Sequence, residues 1–302
     1  MSLSLLLPEK AVSALLEGPW PEAPSVHERG SAGLDRICTP EFFDDWVFTG
    51  CVPADEIAVV KAPSPSLNPA AIKTNGRTDG AKLRRLYEQG FTVRLGNLQR
   101  VVPELHAISR EIQVETGYSN YVHAFLTPAS SQGLRHHWDQ QVAIIAQMSG
   151  VKRWQLWKPV VEAPMRHFNE STRVWDEGWR ERWVELGPDL EVELLPGQSL
   201  IVPRGWVHNP LTPDATEGSC HLTFALRERT PYWLAERLLE ELLGRPEFRR
   251  VLLPESVIGG GLAGSLHEVR RMLADAFSEK ADVEGIANKI RDAARSELEY
   301  TT

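Results

Sequence analysis

The feature that most constrains this chain is the stretch Tyr121–Leu156, which reads YVHAFLTPASSQGLRHHWDQQVAIIAQMSGVKRWQL. Successive side chains of a strand alternate, so Tyr121, His123, Phe125 and Thr127 share one face and Val122, Ala124 and Leu126 the other. The run VAIIAQM (142–148) is apolar at almost every position and reads as a strand covered on both faces. Ser149-Gly150 then turns the chain into VKRWQLW, where Lys152, Trp154 and Leu156 point one way. Far downstream, LLPGQSLIVPRGWVH ends in His208. Strands of this kind bury their apolar faces by stacking, and the expected product is a small β-barrel in which the two segments meet.

The rest of the chain supports that barrel. Residues 1–35 predict one short helix followed by irregular chain, and EFFDDWVFTG an aromatic helix packed on the barrel. Residues 53–78, with four prolines, read as short edge strands and loops. Leu83, Leu86 and Tyr87 recur at helical spacing after Asp79, and the helix stops near Gly90. FTVRLGNL alternates, with Phe91, Val93 and Leu95 on one face of a half-buried strand. Leu105, Ile108 and Ile112 mark a helix ending at Gly117. Residues 158–189 are polar and without clear period, and read as a lid or rim over the barrel mouth. LEVELL, SLIVP and CHLTFAL are further strands, the last with His221 and Thr223 on one face.

After Pro231 the pattern becomes helical, which divides the chain into residues 1–231 and a helical region over 232–302. Trp233, Leu234, Leu238 and Leu242 form a stripe. Ser265-Leu-His-Glu268 reads as a capping box opening a helix with Leu266, Val269, Leu273 and Ala276 inward. Val283, Ile286, Ile290 and Ala294 mark another helix. Such helices bury little alone, so they pack on each other, on the barrel or on a second subunit.

His137 and Asp139 are two residues apart and read as lying on an extended strand, where they point the same way. With a distant His208 they make the two-His-one-carboxylate set of non-haem Fe(II) enzymes, which leaves open positions for a bidentate 2-oxo acid and oxygen. The far carboxylate of that acid needs a cation, and Lys152 lies one strand further on. Each residue alone is a weak signal; their conjunction, with the Pro-Gly turn before His208, carries the reading. His136 lacks the same-face spacing to Asp139 and is expected to point to the surface or a neighbouring subunit. His27, His106, His167 and His267 show no partner pattern and read as structural or surface residues.

Charge and cysteine usage bound the alternatives. The formal net charge of -8 argues against bulk nucleic-acid binding, which needs a basic face. Three scattered cysteines outline no disulfide framework. The N-terminus lacks a basic segment ahead of its apolar patch, and no apolar run approaches a membrane span, so a cytoplasmic location is expected.

The motifs resemble the JmjC-like cupin family that includes the ribosomal oxygenases. The resemblance rests on His123-Ala-Phe125-Leu-Thr127-Pro128, Ser131-Gln132-Gly133 and His137-Trp-Asp139. It continues through Gln147-Met-Ser-Gly150-Val-Lys152-Arg153-Trp154, Pro196-Gly197 to Pro203-Arg204-Gly205-Trp206-Val-His208, and His221-Leu222-Thr223, and covers roughly residues 35–243. It implies an α+β fold: a double-stranded β-helix (cupin or jelly-roll) barrel with N-terminal flanking helices and a C-terminal helical region that dimerises. It also implies Fe(II) held by His137, Asp139 and His208, with 2-oxoglutarate as co-substrate on Lys152. His123, where the family has Asn, and Thr223 of the His-Leu-Thr motif are implied at the co-substrate. Phe125 replaces a Tyr, Val142 an acid and Gln198 an Asp, so the metal set is intact while the co-substrate pocket and mouth are altered. The family's C-terminal winged helix is not expected after the helical region.

The function implied is hydroxylation of a side chain in a protein or peptide, by a homodimer. The same chemistry on a small molecule, or on a peptide intermediate of a biosynthetic pathway, is the first alternative. A metal-binding cupin without oxygenase activity is the second.

Overall fold

The computed structural model describes residues 2–30, 33–37, 39–165, 175–213, 217–278 and 282–296. Twelve strands are described. They are β1 (Ser25–Glu28), β2 (Ile57–Val60), β3 (Lys73–Thr74), β4 (Arg77–Thr78), β5 (Thr92–Leu95) and β6 (Asn120–Thr127). The others are β7 (Val142–Ser149), β8 (Lys152–Trp157), β9 (Leu190–Leu194), β10 (Gln198–Val202), β11 (Val207–Leu211) and β12 (Ser219–Leu226). Seven form one sheet in the order β1-β10-β7-β12-β6-β5-β2, and three form a second in the order β11-β8-β9. The pairs within both sheets are antiparallel, and β3 and β4 form a separate hairpin.

The large sheet has two buried faces, each set by alternation. Val122, Ala124 and Leu126 of β6, Ile144 and Ala146 of β7, and Leu222 and Phe224 of β12 join the core that the N-terminal helices cover. Each of the larger side chains contributes about 1.5–3 kcal/mol by leaving water. The opposite face turns Ala143, Ile145, Leu200 and Val202 towards Trp154, Leu156 and Leu194 of the second sheet. Strands β7 and β12 are accordingly buried at nearly every position, as the unbroken apolar run at 142–148 predicts.

The covering helices begin and end where their termini are satisfied. Asp79 accepts the Lys82 N–H and opens the helix Gly80–Glu88. Pro103 starts the helix Pro103–Thr116, Gly117 at φ +72° ends it, and Leu105, Ile108 and Ile112 are buried. Two features of this part depart from expectation. The segment before residue 35 contributes β1, which extends the large sheet beside β10. The excursion 158–189 is not without regular structure: it holds the helix Glu177–Leu186.

By its contacts the chain divides into two compact units, residues 1–228 and 229–297. The second contains the helices Pro231–Glu241, Pro254–Ile258, Leu262–Ala276 and Val283–Ser296. Lys289 pairs with Glu241 at 2.9 Å, joining its last helix to its first. The capping box at Ser265 is corrected: the helix already starts at Leu262, with Gly261 at its N-cap, and Ser265 lies inside it. Leu266 and Val269 are also not inward here but exposed, as are Leu234 and Leu239. No described helix is long and apolar enough to cross a membrane.

Candidate active site

His137 and His208 are 71 residues apart in sequence and meet backbone to backbone. The His137 N–H donates to the His208 carbonyl at 3.2 Å, and the His208 N–H returns a bond to His137 at 2.8 Å. Gly205, at φ +85° in the turn before β11, donates to the Asp139 carbonyl at 2.8 Å. These bonds tie the His-x-Asp segment to the entry of β11. The expectation of a strand under His137 and Asp139 is corrected. They lie in the loop between β6 and β7, where His137↔His208 is an isolated bridge. The two side chains still point one way, since both line the same cavity.

The ligand atoms of His137, Asp139 and His208 all lie within 4.8 Å of one another. The Asp139 Oδ2 is 3.7 Å from His208 Nε2. His137 Nδ1 faces the Arg135 carbonyl at 2.7 Å, and His208 Nδ1 the Trp206 carbonyl at 3.0 Å. A carbonyl only accepts, so each Nδ1 carries the proton and each Nε2 keeps its lone pair for a metal. Burial, and then the neighbouring His137, hold His208 well below the usual imidazole range, so it stays neutral, as a ligand must. Two nitrogens and one carboxylate converging on a point suit a divalent transition metal with open positions.

These residues border a cavity of about 260 Å³ that also contains Lys152, His123 and Thr223. Lys152 is 2% exposed, and its Nζ donates to Thr212 Oγ1 at 3.2 Å. Burial pushes its ammonium down to about 7. His123 accepts the Asn97 N–H on Nδ1 at 3.2 Å, so its proton sits on Nε2. Desolvation, reinforced by Arg94, lowers its pKa to about 4. Thr223 is directly opposite His123 in the β6–β12 ladder. The structure thus brings together every site residue read from the sequence.

Three further residues were not singled out. Arg94 on β5 lines the cavity, and its buried Nε has no hydrogen-bond partner among the described residues. Its desolvation lowers its pKa. Tyr121 donates to Gln141 Oε1 at 3.2 Å, and burial raises its pKa. His221 stacks on Phe125 with ring centres 4.9 Å apart, and its Nδ1 is without a partner among the described residues. The signal for His221 and Tyr121 was their place in step with Thr223 and His123.

His136 does not line the cavity and is partly exposed. Its ring packs on Trp157 at 4.8 Å and stacks on Trp183 at 5.9 Å within the same chain. The described part of the excursion lies beside these rings, and none of its residues lines the cavity. His27 bonds Ser25 and His106 meets the Gln99 carbonyl, both structural roles, and His267 is exposed. His167 lies outside the described residues.

Comparison with known proteins agrees with this geometry. Residues 94–233 match the family model of the JmjC domain. The chain is 24% identical over 248 residues to a bifunctional lysine-specific demethylase and histidyl-hydroxylase NO66 of Drosophila pseudoobscura pseudoobscura, covering 80% of this chain and 24% of that protein. It is 30% identical over 175 residues to ribosomal oxygenase 2 of Mus musculus, covering 57% of this chain and 35% of that one. The chain therefore spans roughly a quarter to a third of the length of these relatives. In fold it is similar to the ribosomal oxygenase YcfD from Escherichia coli, solved in complex with cobalt and 2-oxoglutarate. The TM-score is 0.58 at 14% identity, covering 98% of this chain and 73% of that one.

Proposed function

We propose, from the match of residues 94–233 to the JmjC domain, that the chain is an Fe(II)- and 2-oxoglutarate-dependent oxygenase that hydroxylates a side chain in a protein or peptide. The observation that carries this reading is the convergence of His137, Asp139 and His208 in one cavity with the buried Lys152. Fe(II), when bound by these three residues, supplies the activation of oxygen coupled to oxidative decarboxylation of the 2-oxo acid.

The chain's own residues divide the remaining work. Lys152 and Thr212 receive the far carboxylate of 2-oxoglutarate, and an ammonium already stripped of water gains a counter-ion in a low-dielectric wall. His123, donating through Nε2, and Thr223 stand for the polar wall that positions the co-substrate. The carbonyls of Arg135 and Trp206 hold the ligand imidazoles in the required tautomer. Phe125, Trp154 and Ile145 keep water from the reacting end. We read the two stacked sheets as a double-stranded β-helix, residues 1–231 as the catalytic domain, and the helical region as the contact of a homodimer in the cytoplasm.

The test is succinate formation from 2-oxoglutarate, dependent on added Fe(II), with peptide pools scanned for a mass gain of one oxygen atom. Asp139→Ala should abolish iron binding and turnover while leaving the fold intact. Full iron affinity in that variant would overturn the ligand assignment. Iron binding without any succinate would favour a non-catalytic cupin.

A further inference from the structure

Alternate residues of the metal-ligand loop face opposite ways. His137 and Asp139 line the cavity, whereas Trp138 between them is 2% exposed and points into a cluster of indoles behind the loop. Its ring stacks with Trp175 at 6.1 Å and meets Trp179 at 5.7 Å. His136 is held in the same cluster by Trp183, which in turn touches Trp175 at 5.6 Å and Trp179 at 6.4 Å.

The cluster is built by a short local device. Asp176 accepts the Gly178 N–H and starts the helix Glu177–Leu186. Trp179 and Trp183 are then four residues apart and share one face. In front, the ligand segment is tied to the entry of β11 by the backbone bridge at His137 and the bond to the Asp139 carbonyl. A metal site needs ligands held firmly in place, and large rings with few rotamers supply stiffness to this segment from behind.

We propose that the helix 177–186 is a clamp on the back of the metal-ligand loop, with Trp179 and Trp183 as positioning residues for metal binding through Trp138 and His136. This rests on the reading that His137, Asp139 and His208 hold a divalent metal. Coupling of this kind is reciprocal: if the clamp favours metal binding, metal binding favours the clamped helix.

The experiment titrates the full-length protein with Co(II) alone, followed by its visible spectrum and by calorimetry. Trp179→Ala and Trp183→Ala should weaken Co(II) binding about tenfold or more and alter the spectrum, in line with the 10–100-fold effects of outer-shell partners. Trp179→Phe and Trp183→Phe, which keep a ring, should restore both. Trp20→Leu, at a ring that packs on Tyr118 instead, should lower thermal stability without moving the Co(II) affinity. Hydrogen exchange on the unaltered protein needs no variant to fold: Co(II) should slow exchange in 177–186 as well as in 136–139. Slowing confined to the loop, or unchanged Co(II) affinity in Trp179→Ala, overturns the proposal. Failure of the unaltered protein to bind Co(II) would instead remove the metal reading on which it stands.

Discussion

Replacing Lys152 by Met should make the protein more stable and unable to bind 2-oxoglutarate. Lys152 is 2% exposed, and burial lowers its pKa from 10.5 to about 7. A base whose folded pKa lies below its unfolded pKa contributes stability that is fully present above about 10.5 and is lost as pH falls through about 7. At about 1.4 kcal/mol per pKa unit, the difference 10.5 − 7 = 3.5 corresponds to roughly 4–5 kcal/mol of destabilisation at pH 7. Met fills much of the same volume without a charge, and losing the bond to Thr212 returns about 1 kcal/mol. The variant should therefore gain about 3 kcal/mol at pH 7, which is a rise in Tm of roughly 6–12 °C for a unit of this size. By pH 9.5 the unaltered chain has recovered most of its deficit, and the advantage should shrink to near zero. Calorimetric melting at the two pH values, with and without 2-oxoglutarate, measures all of this. The co-substrate should raise the Tm of the unaltered protein and not of Lys152→Met. A variant less stable than its parent at pH 7, or one still stabilised by 2-oxoglutarate, would refute the reasoning.

His123→Asn should retain 2-oxoglutarate binding within a few-fold by calorimetry, since an amide can replace the Nε2 donor; a hundredfold loss would mean that the imidazole itself is required. Gly150→Ala should cost more than about 2 kcal/mol in thermal melting, because φ is +61° and an added Cβ would lie 2.1 Å from the Gly218 carbonyl oxygen. Leu234 and Leu239 are 45% and 50% exposed on the helix Pro231–Glu241, so light scattering should find a dimer. The double substitution Leu234→Glu with Leu239→Glu should leave a monomer, and a monomeric parent at micromolar concentration would end that reading.

How much of this was legible follows from what alternation can and cannot say. Period-two patterning at 121–127 and the unbroken apolar run at 142–148 placed β6 and β7, because a strand's faces are decided locally. The donor set was legible because i and i+2 on extended chain face one way, and His137 and Asp139 both face the cavity although they lie in a loop. That is why mistaking the loop for a strand did not misplace His137 and Asp139. The same rule misled on β5. Phe91, Val93 and Leu95 marked one buried face, and the face with Thr92 and Arg94 was left to solvent, yet Thr92 is 1% exposed and both line the cavity. A second sheet covers that face, and its presence is not encoded in the strand's own residues. The indole cluster failed for a related reason. Trp138 and Trp183 are distant in sequence, neither belongs to a shared periodic segment, and only the folded chain shows that the polar excursion carries the rings that bury the back of the metal loop.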